Sequence, residues 1–511
     1  MSKQLFSKLL PDGNYEKLAW IVSCFMLLFL LFVSQFHRMG GYGVETDFYW
    51  AYAPDAQNIL EGKMPEEPGV GPGYALVLAL FNIIFNDWFT AGKMVSIFST
   101  ILGGYFTFKM IQKVFDEKIA FYTMILWQVT VLPFAIVAST DMFFAFLVAV
   151  AIYFFFRSEE LDLKNLILSA GFMGYAYLTR HNAIVLPIAV GIILLLINPY
   201  AVNWMQRIKP LLVFTGAFIL LYLPWSILLF ATGGNAVRSD SYLIIASHFY
   251  GRPGIIGSED MRLAAQKFDS LKSVIFYDVA YFVKHYLFNL YHHFYDVLTQ
   301  SLKFPTLLFV GAGGFVLLPK LNKRLWSFLL FPLLSFLMLC LVHYEPRYYL
   351  YFIAFFVLFA VYFIFRENNQ LQNVRKMNLL RGVVFGVTVL FVFVFSLKEI
   401  KKTIADEPRE LLEMSQFLRQ HTVENQTIIA RKPHIGFLSN LETVYFPQVN
   451  SISELLQFAA QEKADYLFYG EEEAKRRPEL LTLLDPQNAP DELEPLLVWE
   501  HPKSVIYKLR I

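Results

Sequence analysis

The sequence predicts an all-α polytopic membrane domain of about 11 spans followed by a small C-terminal α/β domain. Three observations carry that prediction. Uncharged apolar runs recur, among them Phe143–Phe156, Leu211–Phe230 and Tyr348–Phe365. Such runs suit hydrocarbon, because a helix satisfies its own backbone polar groups there. Charged residues make up only 17% of the chain, against about a quarter in soluble domains. From about Ile400 the composition turns soluble, and helical and strand-like patterns alternate.

The chain opens with Lys3, Lys8 and Lys17 ahead of the apolar stretch Leu18–Val33. No small-residue cleavage site follows, so this segment reads as an uncleaved signal-anchor. Lys and Arg then gather between apolar runs: Lys109, Lys113 and Lys118; Arg157 and Lys164; Arg207 and Lys209; Lys320, Lys323 and Arg324; Arg366, Arg375, Lys376 and Arg381. The bias of positive charge toward cytoplasmic loops places these clusters and the N-terminus inside. Neighbouring clusters are then joined by even numbers of crossings. Two spans fit between Lys118 and Arg157, turning outside at Ser139-Thr140-Asp141. Two more turn at Thr179-Arg180-His181-Asn182, and two flank a long outer loop, residues 231–303. A further pair turns at His343–Arg347, and a last span, Val383–Leu397, exports the C-terminal segment. Between Lys17 and Lys109 three apolar runs compete for two crossings. The middle one, residues 74–85, is too short to span. It reads as an interfacial or re-entrant helix of the first outer loop, residues 36–92. The expected division is a membrane domain, 1–399, and a soluble extracytoplasmic domain, 400–511.

In the C-terminal domain helices are expected over Pro408–Gln420, Ser453–Gln461 and Glu471–Leu484. Strands are expected over Thr427–Ala430, Tyr466–Tyr469, Pro495–Trp499 and Val505–Leu509. This segment carries no Gly-rich phosphate loop, metal-spaced His or Cys, or nucleophile elbow, so a structural or acceptor-docking cap is the expected role. Asn425-Gln426-Thr427 fits a glycosylation sequon, a pattern short enough to arise by chance. Cys24 and Cys340 sit in apolar runs, so no disulfide framework is expected. A net charge of +1 gives no sign of a nucleic-acid partner.

Chemistry-bearing residues concentrate on the outer side. Glu45 and Asp47 lie just beyond the first span, with Asp55, Glu61-Gly62 and Gly71-Pro72-Gly73-Tyr74 following. Carboxylates in that position can serve as general base or metal ligand; equally, acidic residues there can simply be solvated. Asp141 stands alone at a span boundary, where an ionisable group is costly and marks a functional site by default; the competing reading is a helix cap shared with Ser139 and Thr140. Arg347 opens a late span, where a guanidinium can grip a phosphate at headgroup depth. The alternatives for it are an ion pair with Glu345 or snorkelling to lipid. Arg180-His181 occupies a similar turn. His248 and His292-His293 have no partner at metal-ligand spacing, and Phe276–Leu298 reads as an interfacial helix.

Taken in order, these features resemble the GT-C superfamily of integral membrane glycosyltransferases. They are the Glu45-x-Asp47 pair with Tyr52, Ala56, Leu60 and Gly62, the Gly71-Pro72-Gly73-Tyr74 opening, lone Asp141, and Arg347-Tyr348. The nearest branch resembles the protein O-mannosyltransferases and the bacterial lipid A aminoarabinose transferases. The resemblance implies a polyprenyl-phosphate sugar donor, a lipid, glycan or protein acceptor, and a bacterial cytoplasmic membrane with the C-terminal domain outside. It makes Asp47 the general base, and gives Glu45 the role of assisting it or of helping to bind a divalent cation. Asp141 becomes the second carboxylate, Arg347 the donor-phosphate ligand and Arg180 its companion. Tyr52, Asp55, His181 and Tyr348 are the substrate-binding candidates. Relatives often carry adjacent acids and a double proline where this chain has Glu45-Thr46-Asp47 and Gly71-Pro72-Gly73, so sugar and acceptor stay unassigned.

Two rivals share the polytopic architecture. A transporter or lipid flippase favours ionisable residues near the midplane and repeated halves, whereas here the charges lie at the outer boundary. An O-antigen ligase or polymerase would use Arg and His of a large outer loop; Arg238, His248, Arg252 and Arg262 lie in the 231–303 loop.

Overall fold

The computed structural model describes residues 14–65, 71–158, 160–197, 203–232, 241–251, 258–366, 374–423 and 426–510. Lys3, Lys8, Arg238, Arg252 and Asn425 lie outside the described residues, as does the Arg262 side chain.

Helices begin where short polar side chains can take up their free N–H groups. Asn14 caps Tyr15–Ser34, accepting from the Lys17 amide at 3.0 Å. Asp87 caps Trp88–Gln112 and Asp116 caps Glu117–Val131, at 2.7 and 2.8 Å. Asp162 starts Leu163–Thr179 and Asn322 starts Lys323–Leu339 in the same way. Trp88–Gln112 is largely buried and packs along Asp141–Phe156, forming the centre of the bundle. Met205–Ala231 instead exposes Leu212, Leu220, Ile227 and Phe230, the face a lipid-contacting helix presents.

Four described helical stretches are long and apolar enough to cross a bilayer: Tyr15–Ser34, Trp88–Gln112, Met205–Ala231 and Lys376–His421. Gly73–Phe85, Asp141–Phe156, His181–Ile197, Thr306–Lys320 and Ile353–Phe365 are apolar but shorter, at 10–17 residues. The helical membrane architecture therefore stands, while the count of spans rests on these shorter helices. Within the expected long loop the described residues include the helices Ser241–Tyr250, Leu271–Tyr277 and Val279–Asp296.

Past the last long helix, Val374–Ala405, the chain folds into a five-stranded sheet. Its strands are β1 (Thr427–Ala430), β2 (Glu442–Tyr445), β3 (Tyr466–Gly470), β4 (Leu493–Glu500) and β5 (Lys503–Leu509), in the order β2-β1-β3-β5-β4. β1 pairs in parallel with β2 and β3; β5 runs antiparallel to β3 and β4. Alternation along the strands splits the core between two faces. Ile429, Leu467, Val505 and Tyr507 pack on one side. Ile428, Phe468 and Ile506 pack on the other with Leu411, Met414 and Leu418. Met39 of the first outer loop inserts into that second core, fastening the domain to the membrane helices. β2 and the helix His434–Ser439 were not foreseen from the sequence pattern.

Candidate active site

Two ion pairs form at the end of the helices that the charge pattern assigns to the outside. Arg347, in the turn Pro346–Tyr349, reaches back to the first outer loop. Its Nη1 donates to Asp47 Oδ2 at 3.1 Å and to the Val44 carbonyl at 3.4 Å. Asp141, the first residue of its helix, pairs with Arg180 Nη1, which also donates to Thr140 Oγ1 at 3.2 Å. Tyr348 joins the pairs: its ring lies 5.3 Å from the Arg347 guanidinium and 5.2 Å from that of Arg180. A ring face between two cations is attractive to both.

The two carboxylates differ in environment. The Asp47 side chain is 44% exposed, open to a reactant on the side away from Arg347. Asp141 is buried, and its Oδ2 has no hydrogen-bond partner among the described residues. Arg347 Nε is likewise buried and unpaired. Such orphan atoms are costly unless a ligand satisfies them. Burial works against the Arg347 charge, but Asp141, Tyr348 and Asp47 outweigh it and raise its pKa. Burial, reinforced by Asp47, pushes the Tyr52 phenol up to about 12, so Tyr52 can donate a hydrogen bond but is no base.

Local sequence explains how Arg180 arrives there. Gly71 has φ +80°, and a Cβ on it would stand 2.4 Å from the Leu178 carbonyl oxygen; a Cβ on Gly73 would meet the same residue at 2.8 Å. The Gly71-Pro72-Gly73 turn thus lies directly on the end of Leu163–Thr179, one residue before Arg180. Tyr175 ties the contact, donating from its hydroxyl to the Gly73 carbonyl at 2.9 Å.

Glu45, expected from sequence to assist Asp47 or to help bind a cation, has its oxygens occupied from within the chain. It is 2% exposed. Its oxygens accept from the Gly41 amide at 2.8 Å and the Ala138 amide at 2.9 Å, and contact His37 Nε2 at 3.0 Å. His37 Nδ1 meets Glu407 at 2.6 Å, and Glu407 also receives the Arg38 amide and Arg409. Burial alone would lower the His37 pKa; the carboxylates Glu407 and Glu45 override it and raise it to about 9. This chain of contacts joins the first outer loop, the turn before Asp141 and the segment just past the last long helix. Among the described residues no three His, Cys, Asp or Glu converge to hold a metal. The residues present do not fit a divalent cation at Glu45.

The remaining candidates lie around this centre. Tyr52 packs on Tyr74 at 5.1 Å and comes under the fields of both carboxylates. Asp55 is buried in the helix Ala53–Leu60. The His181 ring turns to Tyr177, 5.4 Å away, with Phe218 and Tyr222 beyond. A cavity of about 1200 Å³ opens beside the ion pairs rather than over them, reaching them through Val44 and Pro346. Sequence reasoning missed His37 and Glu407, whose contact spans 370 residues, and no local signal marks either.

Residues 67–227 match the family of dolichyl-phosphate-mannose-protein mannosyltransferases, a stretch with Asp141 and Arg180 but without Asp47 and Arg347. No curated protein matches the chain in sequence. Among solved structures, ArnT from Cupriavidus metallidurans bound to undecaprenyl phosphate is similar at a TM-score of 0.56 and 12% identity, covering 96% of this chain and 98% of that one. The oligosaccharyltransferase of Archaeoglobus fulgidus tethered with an acceptor peptide matches at 0.59 and 13% identity, covering 88% and 69%. The same organism's AglB, in complex with an inhibitory peptide and a dolichol-phosphate, matches at 0.59 and 12%, covering 90% and 70%. The family match over residues 67–227 and the shared fold agree with the resemblance to the GT-C superfamily.

Proposed function

We propose that the chain moves a sugar from a polyprenyl-phosphate donor to an acceptor hydroxyl on the outer face of a membrane, inverting the anomeric centre. The observation that carries this is the pairing of a half-exposed carboxylate, Asp47, with a buried guanidinium, Arg347, across 300 residues of chain. An acyclic lipid phosphate reaching headgroup depth meets the unpaired Arg347 Nε, and its oxygens compete with Asp47 for the guanidinium. Asp47, released, takes the proton of the acceptor hydroxyl. The acceptor oxygen bonds to the anomeric carbon as the bond to the phosphate oxygen breaks, and the departing electron pair is held by Arg347. Asp141 keeps Arg180 oriented and offers its free oxygen to a donor or acceptor hydroxyl, while Tyr52 supplies a neutral hydrogen-bond donor. Glu45 positions the loop instead of reacting. No step runs through a metal.

Support from outside the chain is of one kind: the ArnT and AglB structures hold undecaprenyl phosphate and dolichol-phosphate respectively. The outward orientation and about 11 spans rest on the placement of Lys and Arg. The test is transfer of labelled sugar from a panel of polyprenyl-phosphate sugars to crude membrane acceptors by purified protein in detergent. Wild type is expected to form product, and Asp47→Asn to lose it while melting like wild type. Near-normal turnover by Asp47→Asn would remove Asp47 as the base. Among the described residues nothing favours a ligase-type loop: His248 Nε2 is engaged by Asn289 at 3.0 Å.

A further inference from the structure

The cavity of about 1200 Å³ beside the ion pairs has no part in the proposed transfer, and its walls come from both halves of the molecule. Its volume exceeds the range of about 300–1,000 Å³ usual for small-molecule sites. One part of the wall is apolar and belongs to the membrane helices, with Pro133, Phe134, Val137 and Phe395. Another belongs to the soluble domain, through Glu410, Glu471, Glu472 and Lys475. Phe395, Glu399, Lys402 and Asp406 link the two along the last long helix, Val374–Ala405, and its exit. Their spacing puts them on one helix face. With a rise of about 1.5 Å per residue, Lys402 stands about 10 Å past Phe395 toward the soluble domain. A helical side chain leans toward the N-terminus of its helix, here the membrane end.

Most of the charges lining this cavity are matched from within the chain. Lys303 pairs with Glu399, and Lys475 with Glu472. Glu45 and Glu407 share His37, and Glu407 also holds Arg409. Glu471 accepts from the Lys503 amide at 2.8 Å. The side chains of Lys402, Asp406 and Glu410 stay open, with no hydrogen bond or ion pair to another residue among the described residues. Lys402 and Asp406 are exposed to solvent, but Glu410 is only 8% exposed. A carboxylate at that depth is costly until a cation or a hydrogen-bond donor reaches it. Burial, with Glu473, Glu471 and Glu472 adding to it, raises the Glu410 pKa, which is the same penalty expressed in protons.

We propose that the cavity holds a bilayer aminophospholipid, phosphatidylethanolamine, with its phosphodiester at Lys402 and its ammonium at Glu410. The order of the chemistry along the wall carries the assignment. Acyl chains lie against Phe134 and Phe395, and the phosphate meets Lys402, the lining cation left unpaired. The ammonium, two carbons further out, reaches the open carboxylates of Glu410 and Asp406. Phosphatidylglycerol has no cation to offer them, and the methylated ammonium of phosphatidylcholine has no N–H to donate. Phosphatidylserine adds a carboxylate that these acids repel. A lipid seated in this way touches both halves of the molecule and fastens the soluble domain to the bilayer. The site lies beyond the sugar-transfer reading and does not depend on it.

The experiment titrates the full chain, stripped of lipid in dodecyl maltoside, with dioleoyl phosphatidylethanolamine, phosphatidylglycerol and phosphatidylcholine. Bound lipid is counted by native mass spectrometry, and thermal melting is followed in parallel. Phosphatidylethanolamine is expected to bind about tenfold tighter than the other two and to raise the melting temperature. Glu410→Gln and Lys402→Gln should each weaken it by about tenfold, the loss of one charge-assisted hydrogen bond. Glu413→Gln, on the same helix but outside the cavity, should bind like wild type. If Glu410→Gln shifts the lipid-free melting, Lys402→Gln, at an exposed residue, carries the test. Equal binding of the three lipids overturns the assignment, as does unchanged phosphatidylethanolamine binding by both variants. Equally tight binding of glycerophosphoethanolamine, which has no acyl chains, gives the site to a soluble ligand and overturns the lipid. Sugar transfer is not the readout, so none of these outcomes bears on the enzyme reading.

Discussion

The His37 contact offers a prediction whose size follows from the structure. His37 is fully buried between Glu45 and Glu407, and its pKa is raised from 6.5 to about 9. A rise of that extent is worth about 3 kcal/mol of folding stability. Because the folded-state value is the higher one, the contribution is complete below pH 6.5. It falls as pH climbs through the interval from 6.5 to 9 and is gone above it. His37→Gln keeps a polar side chain but cannot carry the proton, so it leaves two carboxylates facing each other; losing one partner of a buried ionic cluster costs about 3–5 kcal/mol. Thermal unfolding in detergent should be followed from pH 6 to 10 for wild type and variant. The quantity to read is the difference between them, which cancels the other titrating groups. It should be largest near pH 6 and shrink toward pH 9.5. A difference that is flat across that range, or that grows with pH, would show that His37 is neutral in the folded protein and that the clamp is not ionic.

Two further outcomes follow from the same geometry. Arg347→Ala should reduce kcat by about 100-fold or more, as expected when a group stabilising transition-state charge is removed, with Arg347→Lys intermediate because it keeps charge without the planar fork; a change in acceptor KM alone would contradict the assignment. Gly71→Ala places a methyl 2.4 Å from the Leu178 carbonyl in a left-handed backbone and should cost about 2 kcal/mol or more, lowering both melting temperature and activity through Arg180. Gly43→Ala, which meets nothing within 4 Å, is the matched control and should change neither.

Much of this arrangement was legible in the sequence, for reasons that also mark its edge. Sidedness alone put Asp47, Asp141, Arg180 and Arg347 on one face, because Lys and Arg clusters fix which ends of the apolar runs look outward. The structure then brings those four into two ion pairs. The four expected strands formed because β-branched and aromatic runs alternate there, whereas Glu442–Tyr445 is a short edge strand with little buried side-chain pattern to announce it. Sidedness says nothing about partners, so His37 and Glu407 went unseen.

Glu45 and Asp47 show most clearly what spacing omits. Both are acids on one loop, two residues apart, and composition treats them alike. Burial separates them: Glu45 is 2% exposed and takes two backbone N–H groups and an imidazole. Asp47 keeps 44% of its side chain in the open with a single guanidinium as partner. A carboxylate with its lone pairs filled is a fixed point, and one held by a displaceable cation is a reagent in waiting. The sequence reading gives both a part in the chemistry, Asp47 as base and Glu45 as its assistant or a cation ligand, because it counts acids and cannot count their partners. The same distinction favours Asp47 over Asp55, which is as buried as Glu45. It also gives Glu45 a place in the proposed role of Asp47: the loop that carries the open acid is held in place by the closed one.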